Sequence, residues 1–271
     1  MRAGLFIVAV LLLGSAGLAA AQQATAPAQP VRRGGYLTAE QTPEAALILP
    51  PAPVEGSARY EFDRFVFKQS RALKDTPRWK LAQNDNLLGA ADLLNSFSCS
   101  LGVKLTPQSA PAISRIIGRS LIDADRGSRT AKDVFKRKRP YLIDEGDICI
   151  EKSARLAESP DYPSGHVTIG WTLGLALAQA APERSTQILT RARAFGESRA
   201  VCGVHNASAV EAGRTTGATV FAAMNGSPDF KADVEAARAE IAAARANPAN
   251  AVDPAACRAE AELIARTPYP Q

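Results

Sequence analysis

Two histidines occur in the chain, His166 and His205, and each stands beside features that attract anions. Imidazole changes charge near neutral pH, so such a pair can supply an acid, a base or a nucleophile. His166 closes the run Tyr162-Pro163-Ser164-Gly165-His166, directly before an apolar stretch. A helix starting there points its first unpaired N–H groups outward, with the Ser164 hydroxyl as a further donor, and makes an anion site. His205 follows Arg199 at a spacing of six. If a helix closes between Ser198 and Gly203, cation and imidazole meet at a tight corner. Lys132 and Arg139, seven apart in Lys132-Asp133-Val134-Phe135-Lys136-Arg137-Lys138-Arg139-Pro140, form a third group. On a helix they share one face, and Pro140 ends that helix. Each group has a plain structural alternative: a satisfied histidine, an ordinary Ser-Gly helix start, a solvated basic face.

The elements that must position these residues read as helices. From about Ser57 the apolar residues recur at helical spacing, and strand-like alternation is almost absent. Thr106 followed by Pro107 predicts a helix start with an apolar stripe of Ile113, Ile116, Ile117 and Leu121. Thr130 with Asp133 predicts a short helix whose Val134 and Phe135 face inward. Val167 to Ala180 is apolar on every side, which places it at the centre of a bundle. It is shorter than the roughly 20 residues that a membrane span needs. Ser208 with Glu211 reads as a capping box opening a helix that runs to about Met224, which leaves His205 in the link before it. Phe230 to Ala246, rich in Ala, Arg and Glu, reads as an exposed helix. The expected fold is therefore all-α: a single-domain helical bundle over residues 57–271, behind an irregular N-terminal arm over 22–56. Residues 22–35 of that arm are expected to be poorly ordered, and Leu49-Pro50-Pro51-Ala52-Pro53 extended.

The chain has 271 residues and a formal net charge of +5. That modest charge suits an anionic small molecule and does not by itself imply nucleic acid. The first 21 residues have the layout of a secretory signal peptide. Arg2 supplies the positive start, Leu5 to Leu13 the apolar run, and Ala19-Ala20-Ala21 the small-residue exit. Cleavage after Ala21 and a periplasmic location are expected. Four cysteines, Cys99, Cys149, Cys202 and Cys257, fit two disulfides in an oxidising compartment. Three connectivities are open, and our expectation is Cys149–Cys202 with Cys99–Cys257. Their wide spacing does not resemble a zinc site.

In order, the three chemical stretches resemble the signature of the phosphatidic acid phosphatase type 2 superfamily: Lys-x6-Arg-Pro, then Pro-Ser-Gly-His, then Ser-Arg-x5-His-x3-Asp. The surrounding text is similar to the bacterial class A non-specific acid phosphatases. The Leu-Pro-Pro arm, Leu105-Thr106-Pro107, Gly196-Glu197-Ser198-Arg199 and Cys202-Gly203 carry that likeness, which runs from about Leu47 to Phe221. The resemblance implies a metal-independent phosphomonoesterase of broad specificity with no cofactor. Lys132, Arg139 and Arg199 bind the phosphate oxygens, and Ser164 and the Gly165 N–H complete the cradle. His205 is the nucleophile, and His166 protonates the leaving group and then activates water. Phosphate monoesters are the expected partners, with no nucleic acid, no membrane span in the mature chain, and room for a homo-oligomer. One position departs from the signature: Ala209 stands where the family has Asp. That carboxylate orients the nucleophilic ring, so reduced turnover is expected unless Glu211, Asn206 or a backbone carbonyl substitutes. Two further readings share the cradle: a vanadium haloperoxidase-like enzyme, and a phosphate-binding protein without catalysis.

Overall fold

The computed structural model of the protein describes Met1 and residues 34–269. The expected signal peptide after Met1, and arm residues 22–33, lie outside the described residues. Among the described residues the ordered elements are all helical. In chain order the α-helices are α1 (Ala45–Ile48), α2 (Ala58–Ser70), α3 (Pro77–Asn84), α4 (Ala90–Leu101), α5 (Pro111–Phe135), α6 (Ala154–Glu158), α7 (Gly165–Ala180), α8 (Ser185–Val201), α9 (Ala207–Met224), α10 (Pro228–Arg245) and α11 (Pro254–Ala265). None is long and apolar enough to cross a membrane.

The centre is α7, as its all-round apolarity requires. It packs against α5, α8, α9 and α10, and Val167, Leu173, Ala176 and Leu177 are buried. Helix α9 approaches it closely because two positions lack a side chain. A Cβ on Gly213 would stand 2.7 Å from the Ser164 carbonyl oxygen, and one on Gly217 would stand 2.8 Å from that of Thr168. This contact presses α9 against the start of α7, where the Pro-Ser-Gly-His stretch lies.

Several helix boundaries differ from the sequence expectation, each for a local reason. The helix expected at Thr106 begins instead at Pro111, because Thr106 and Ser109 bond each other in a separate turn (Ser109 N–H to Thr106 Oγ1, 3.2 Å). The short helix expected at Thr130 is the end of α5, which runs unbroken for 25 residues. Its Val134 is exposed, while Phe135 packs edge-on against Tyr162 with ring centroids 5.1 Å apart. Lys132 and Arg139 do not share a helix face. The helix ends at Phe135, Lys136 turns left-handed at φ 47°, and Arg139 is extended. The Ser208–Glu211 capping box does not form. Asn206 holds the cap position of α9, and Ser208 gives its N–H and its hydroxyl to Asp63 of α2 at 2.8 and 2.6 Å. The segment expected as an exposed helix, α10, is amphipathic and buries Phe230, Val234, Ala237 and Ile241.

The arm from residue 34 onward is packed. The Tyr36 N–H donates to Asp123 of α5 at 2.6 Å and its hydroxyl to Asp233 of α10 at 2.7 Å, so Tyr36 and Leu37 join the main core. Cys99–Cys257 ties α4 to α11, and Cys149–Cys202 ties the α5–α7 connection to the end of α8. The second disulfide lies three residues from His205, at the corner that must hold the ring.

Candidate active site

Four segments deliver the side chains to one place: the end of α5 with its turn, the start of α7, the end of α8, and the α8–α9 link. Between them lies a cleft of ≈430 Å³ lined by Lys132, Arg139, Gly165, His166 and His205. A larger, shallower depression of ≈520 Å³ is made almost entirely by the loop from Tyr141 to Asp147 and contains no histidine, so it is not the site. Arg199 and Ser164 do not line the cleft. They are buried in its wall at 1% and 0% exposure.

His205 is held by its neighbours in one tautomer. Its Nδ1 lies 2.8 Å from the backbone oxygen of Asp161 and 3.0 Å from that residue's Oδ1, both acceptors. Its Nε2 lies 3.1 Å from Arg139 Nη1, a donor. The proton is therefore assigned to Nδ1 and the lone pair to Nε2, on the cleft side. His166 Nε2 faces the Asn86 carbonyl at 3.2 Å, which assigns its proton to Nε2 and leaves Nδ1 as the base.

The cations are fixed from behind. Arg139 donates to the backbone oxygens of Ser159 and Val204, both at 2.8 Å, and to Ser159 Oγ at 3.2 Å. Lys132 donates to the Pro160 carbonyl. Arg199 Nη1 donates to Asn86 Oδ1 at 3.0 Å, so Asn86 braces both Arg199 and His166. Two buried donors, Arg199 Nε and Ser164 Oγ, have no hydrogen-bond partner in the protein. Donors left so at a helix start, with the unpaired N–H groups of the first turn of α7, are the arrangement that accepts an anion.

These charges crowd one another. Burial and then Arg139 push the Lys132 ammonium down to about 8. Burial and then Arg139 push the Arg199 guanidinium down to about 9. Burial, followed by Arg139, Lys132 and Arg199, holds His205 well below 6.5, and burial followed by Arg199 does the same to His166. An anion in the cleft relieves that repulsion, and both imidazoles are neutral until it arrives. Among the described residues no cluster of His, Cys, Asp and Glu could hold a metal ion.

The comparison with known proteins agrees with this geometry. The model of the PAP2 superfamily matches residues 113–231, a span that contains all the residues lining or walling the cleft named above except Asn86. An acid phosphatase of Zymomonas mobilis is 38% identical over 79% of this chain and 81% of its own length. The chain belongs to the PAP2 superfamily. Non-specific acid phosphatases of Providencia stuartii and Salmonella typhimurium are also similar. They are 33% and 31% identical, over 76% and 74% of this chain and 84% and 82% of their own lengths.

Within this superfamily member, the seven residues picked from the sequence fall together, five at the cleft and two in its wall. Those missed are Asp161 and Asn86; Asn206, considered from the sequence as a holder of the ring, bonds Asp161 instead. Asp161 meets His205 at a separation of 44 residues, and Asn86 meets His166 and Arg199 at 80 and 113; no helical or strand spacing marks such partners. Glu211, considered as a stand-in for the carboxylate missing at 209, is half-exposed and paired with Arg214 at 2.7 Å.

Proposed function

We propose that this chain is an exported phosphomonoesterase of broad specificity that needs no metal and works through a phosphohistidine on His205. That it is a phosphoric monoester hydrolase of the acid phosphatase kind follows from its family and relatives. The finer reading is supported above all by one observation: buried cations that repel one another converge on a cleft holding two neutral, oppositely anchored imidazoles. Lys132, Arg139 and Arg199, with the first N–H groups of α7, neutralise the phosphoryl oxygens. The His205 Nε2 lone pair attacks phosphorus while the bond to the ester oxygen breaks. The departing oxygen takes a proton from His166, which the bound dianion has made easier to protonate. Water then gives a proton back to His166 and attacks phosphorus, the P–N bond breaks, and phosphate leaves. The two disulfides fit an oxidising compartment, as export requires.

Hydrolysis of p-nitrophenyl phosphate by purified protein, before and after exhaustive EDTA treatment, tests this. Equal rates are expected. Activity lost with EDTA and restored by a divalent cation overturns metal independence.

A pH dependence also follows. Lys132 must be charged to hold phosphate, and it loses its proton near pH 8. Its lowered pKa makes the charged form available below about 8, so phosphate affinity should fall as pH rises through that value. Between pH 8 and 9, where inorganic phosphate is already a dianion, the dissociation constant should rise by several-fold, up to about tenfold per pH unit, as Lys132 loses its charge. Lys132→Arg should move the fall to higher pH, since a guanidinium starts from a higher pKa than an ammonium in the same surroundings. Calorimetric titration with phosphate measures both, and an identical slope in the two proteins removes Lys132 from the binding site.

A further inference from the structure

His205 has a carboxylate at its Nδ1 even though position 209 has none. Asp161, in the loop leading to α7, is fully buried, with Oδ1 3.0 Å from the ring nitrogen. It is fastened on every side. Its Oδ1 accepts the Asn206 N–H at 3.1 Å, and its Oδ2 accepts the Asn206 side-chain amide at 2.7 Å. Arg137 Nη1 stands 3.5 Å from Oδ2, and the Asp161 N–H donates to the Arg137 carbonyl at 2.8 Å. Arg137 is in turn held by Asp63 at 2.7 Å.

Position 209 is shaped for the absence of a carboxylate. The Ala209 methyl is buried in a small apolar cluster with Ala131, Ala212 and Tyr162, the residue next to Asp161. A charged side chain there would enter apolar surroundings, which is costly.

We propose that Asp161 is the positioning residue for His205, having taken over from another segment the task that the family signature gives to position 209. This rests on the reading of His205 as nucleophile. At Nε2 the ring meets Arg139 at 3.1 Å, with Lys132 and Arg199 adding to the positive field; at Nδ1 it meets the Asp161 carboxylate at 3.0 Å. Attack on phosphorus makes the ring cationic, and those cations oppose that charge. The Asp161 carboxylate offsets them at the nitrogen that keeps its proton, while its backbone oxygen fixes the tautomer. The orienting aspartate of a serine-protease triad works by the same physics. Turnover therefore need not suffer from Ala209.

Asp161→Asn keeps the shape and removes the charge. Its kcat/KM should fall about a hundredfold, less than the roughly 10⁴ of the triad case, because the backbone oxygen still holds the ring. The dissociation constant for phosphate should stay within about threefold, since the cradle cations are untouched. Ala209→Asp in the wild-type background should gain nothing, since Asp161 already serves the ring and the surroundings of position 209 are apolar. A second readout does not depend on hydrolysis. With two histidines in the chain, ¹⁵N-histidine labelling resolves the His205 Nδ1–H proton, which should lie far downfield and move upfield in Asp161→Asn. Absence of phosphatase activity in the wild type would count against the function, and the proton signal would still test the contact. Wild-type kcat/KM in Asp161→Asn, phosphate affinity lost in step with kcat/KM, a higher kcat/KM in Ala209→Asp, or an unmoved Nδ1–H signal would each overturn the proposal.

Discussion

His205→Ala is expected to lower kcat by roughly 10⁴-fold or more while leaving the protein folded and able to bind phosphate. The ring is 4% exposed with Nε2 3.1 Å from Arg139, and in the proposed mechanism that nitrogen attacks phosphorus. Removing it eliminates the covalent route, and the cradle alone retains only the acceleration due to binding and charge neutralisation. Trapping distinguishes this from loss of a mere binding group. Wild-type protein quenched in alkali after brief exposure to a ³²P-labelled monoester should carry label that acid removes, as a phosphorus–nitrogen bond requires. His205→Ala should carry none. With a leaving group that needs no proton, such as p-nitrophenolate, His166→Ala should accumulate label, because the first step proceeds and the second lacks its base. Acid-labile label persisting on His205→Ala would move the nucleophile elsewhere.

The largest stability effect is expected from a pair outside the chemistry. Asp85 and Arg191 are 0% and 1% exposed, with Nη2 and Oδ1 2.5 Å apart. Asp85 Oδ2 also accepts the Ser198 hydroxyl at 2.6 Å, and Ser198 Oγ accepts from Arg78 at 2.8 Å. Asp85→Ala leaves the buried Arg191 guanidinium with Glu260, 3.7 Å away, as its charge partner, and leaves the Ser198 hydroxyl with the Ala194 carbonyl as its acceptor. Breaking a buried pair from one side costs about 3–5 kcal/mol, a fall in Tm on the order of 10 °C for a domain of this size. The residue after Asp85 is Asn86, which braces Arg199 and His166. Activity measured well below the new Tm should therefore fall too. A melting temperature within about 2 °C of wild type would mean that the pair does not hold α8 to the end of α3.

The two predictions lie on different links of the same chain. The first concerns the reacting atom. The second concerns the turn between α3 and α4 that keeps the atoms around it in place, which is why a stability measurement bears on catalysis here.

What the sequence by itself determined is what depends on short-range spacing. An apolar run with no polar face has to be central, so α7 was legible from residues 167–180 alone. The three cations, the Ser-Gly helix start and the two imidazoles sit in contiguous motifs whose order and spacing resemble a family signature, and that resemblance implied phosphate chemistry. Helix ends were less legible. At Ser208 the local capping rule competed with a carboxylate from α2, and Asp63 won because it satisfies both the N–H and the hydroxyl. Lys132 and Arg139 converge through a left-handed turn at Lys136 rather than along a helix face, which spacing alone cannot reveal. Tertiary structure alone decided which carboxylate meets His205. From the chain, the nearest candidate to the vacant position 209 is Glu211, two residues on, which instead points to Arg214. Asp161 is 44 residues from His205, and only the packing of the α7 loop against the α8–α9 corner brings them together. A hydrogen bond fixes a distance in space, not a number of residues, so the partner of a catalytic ring is visible only once the chain has folded around it.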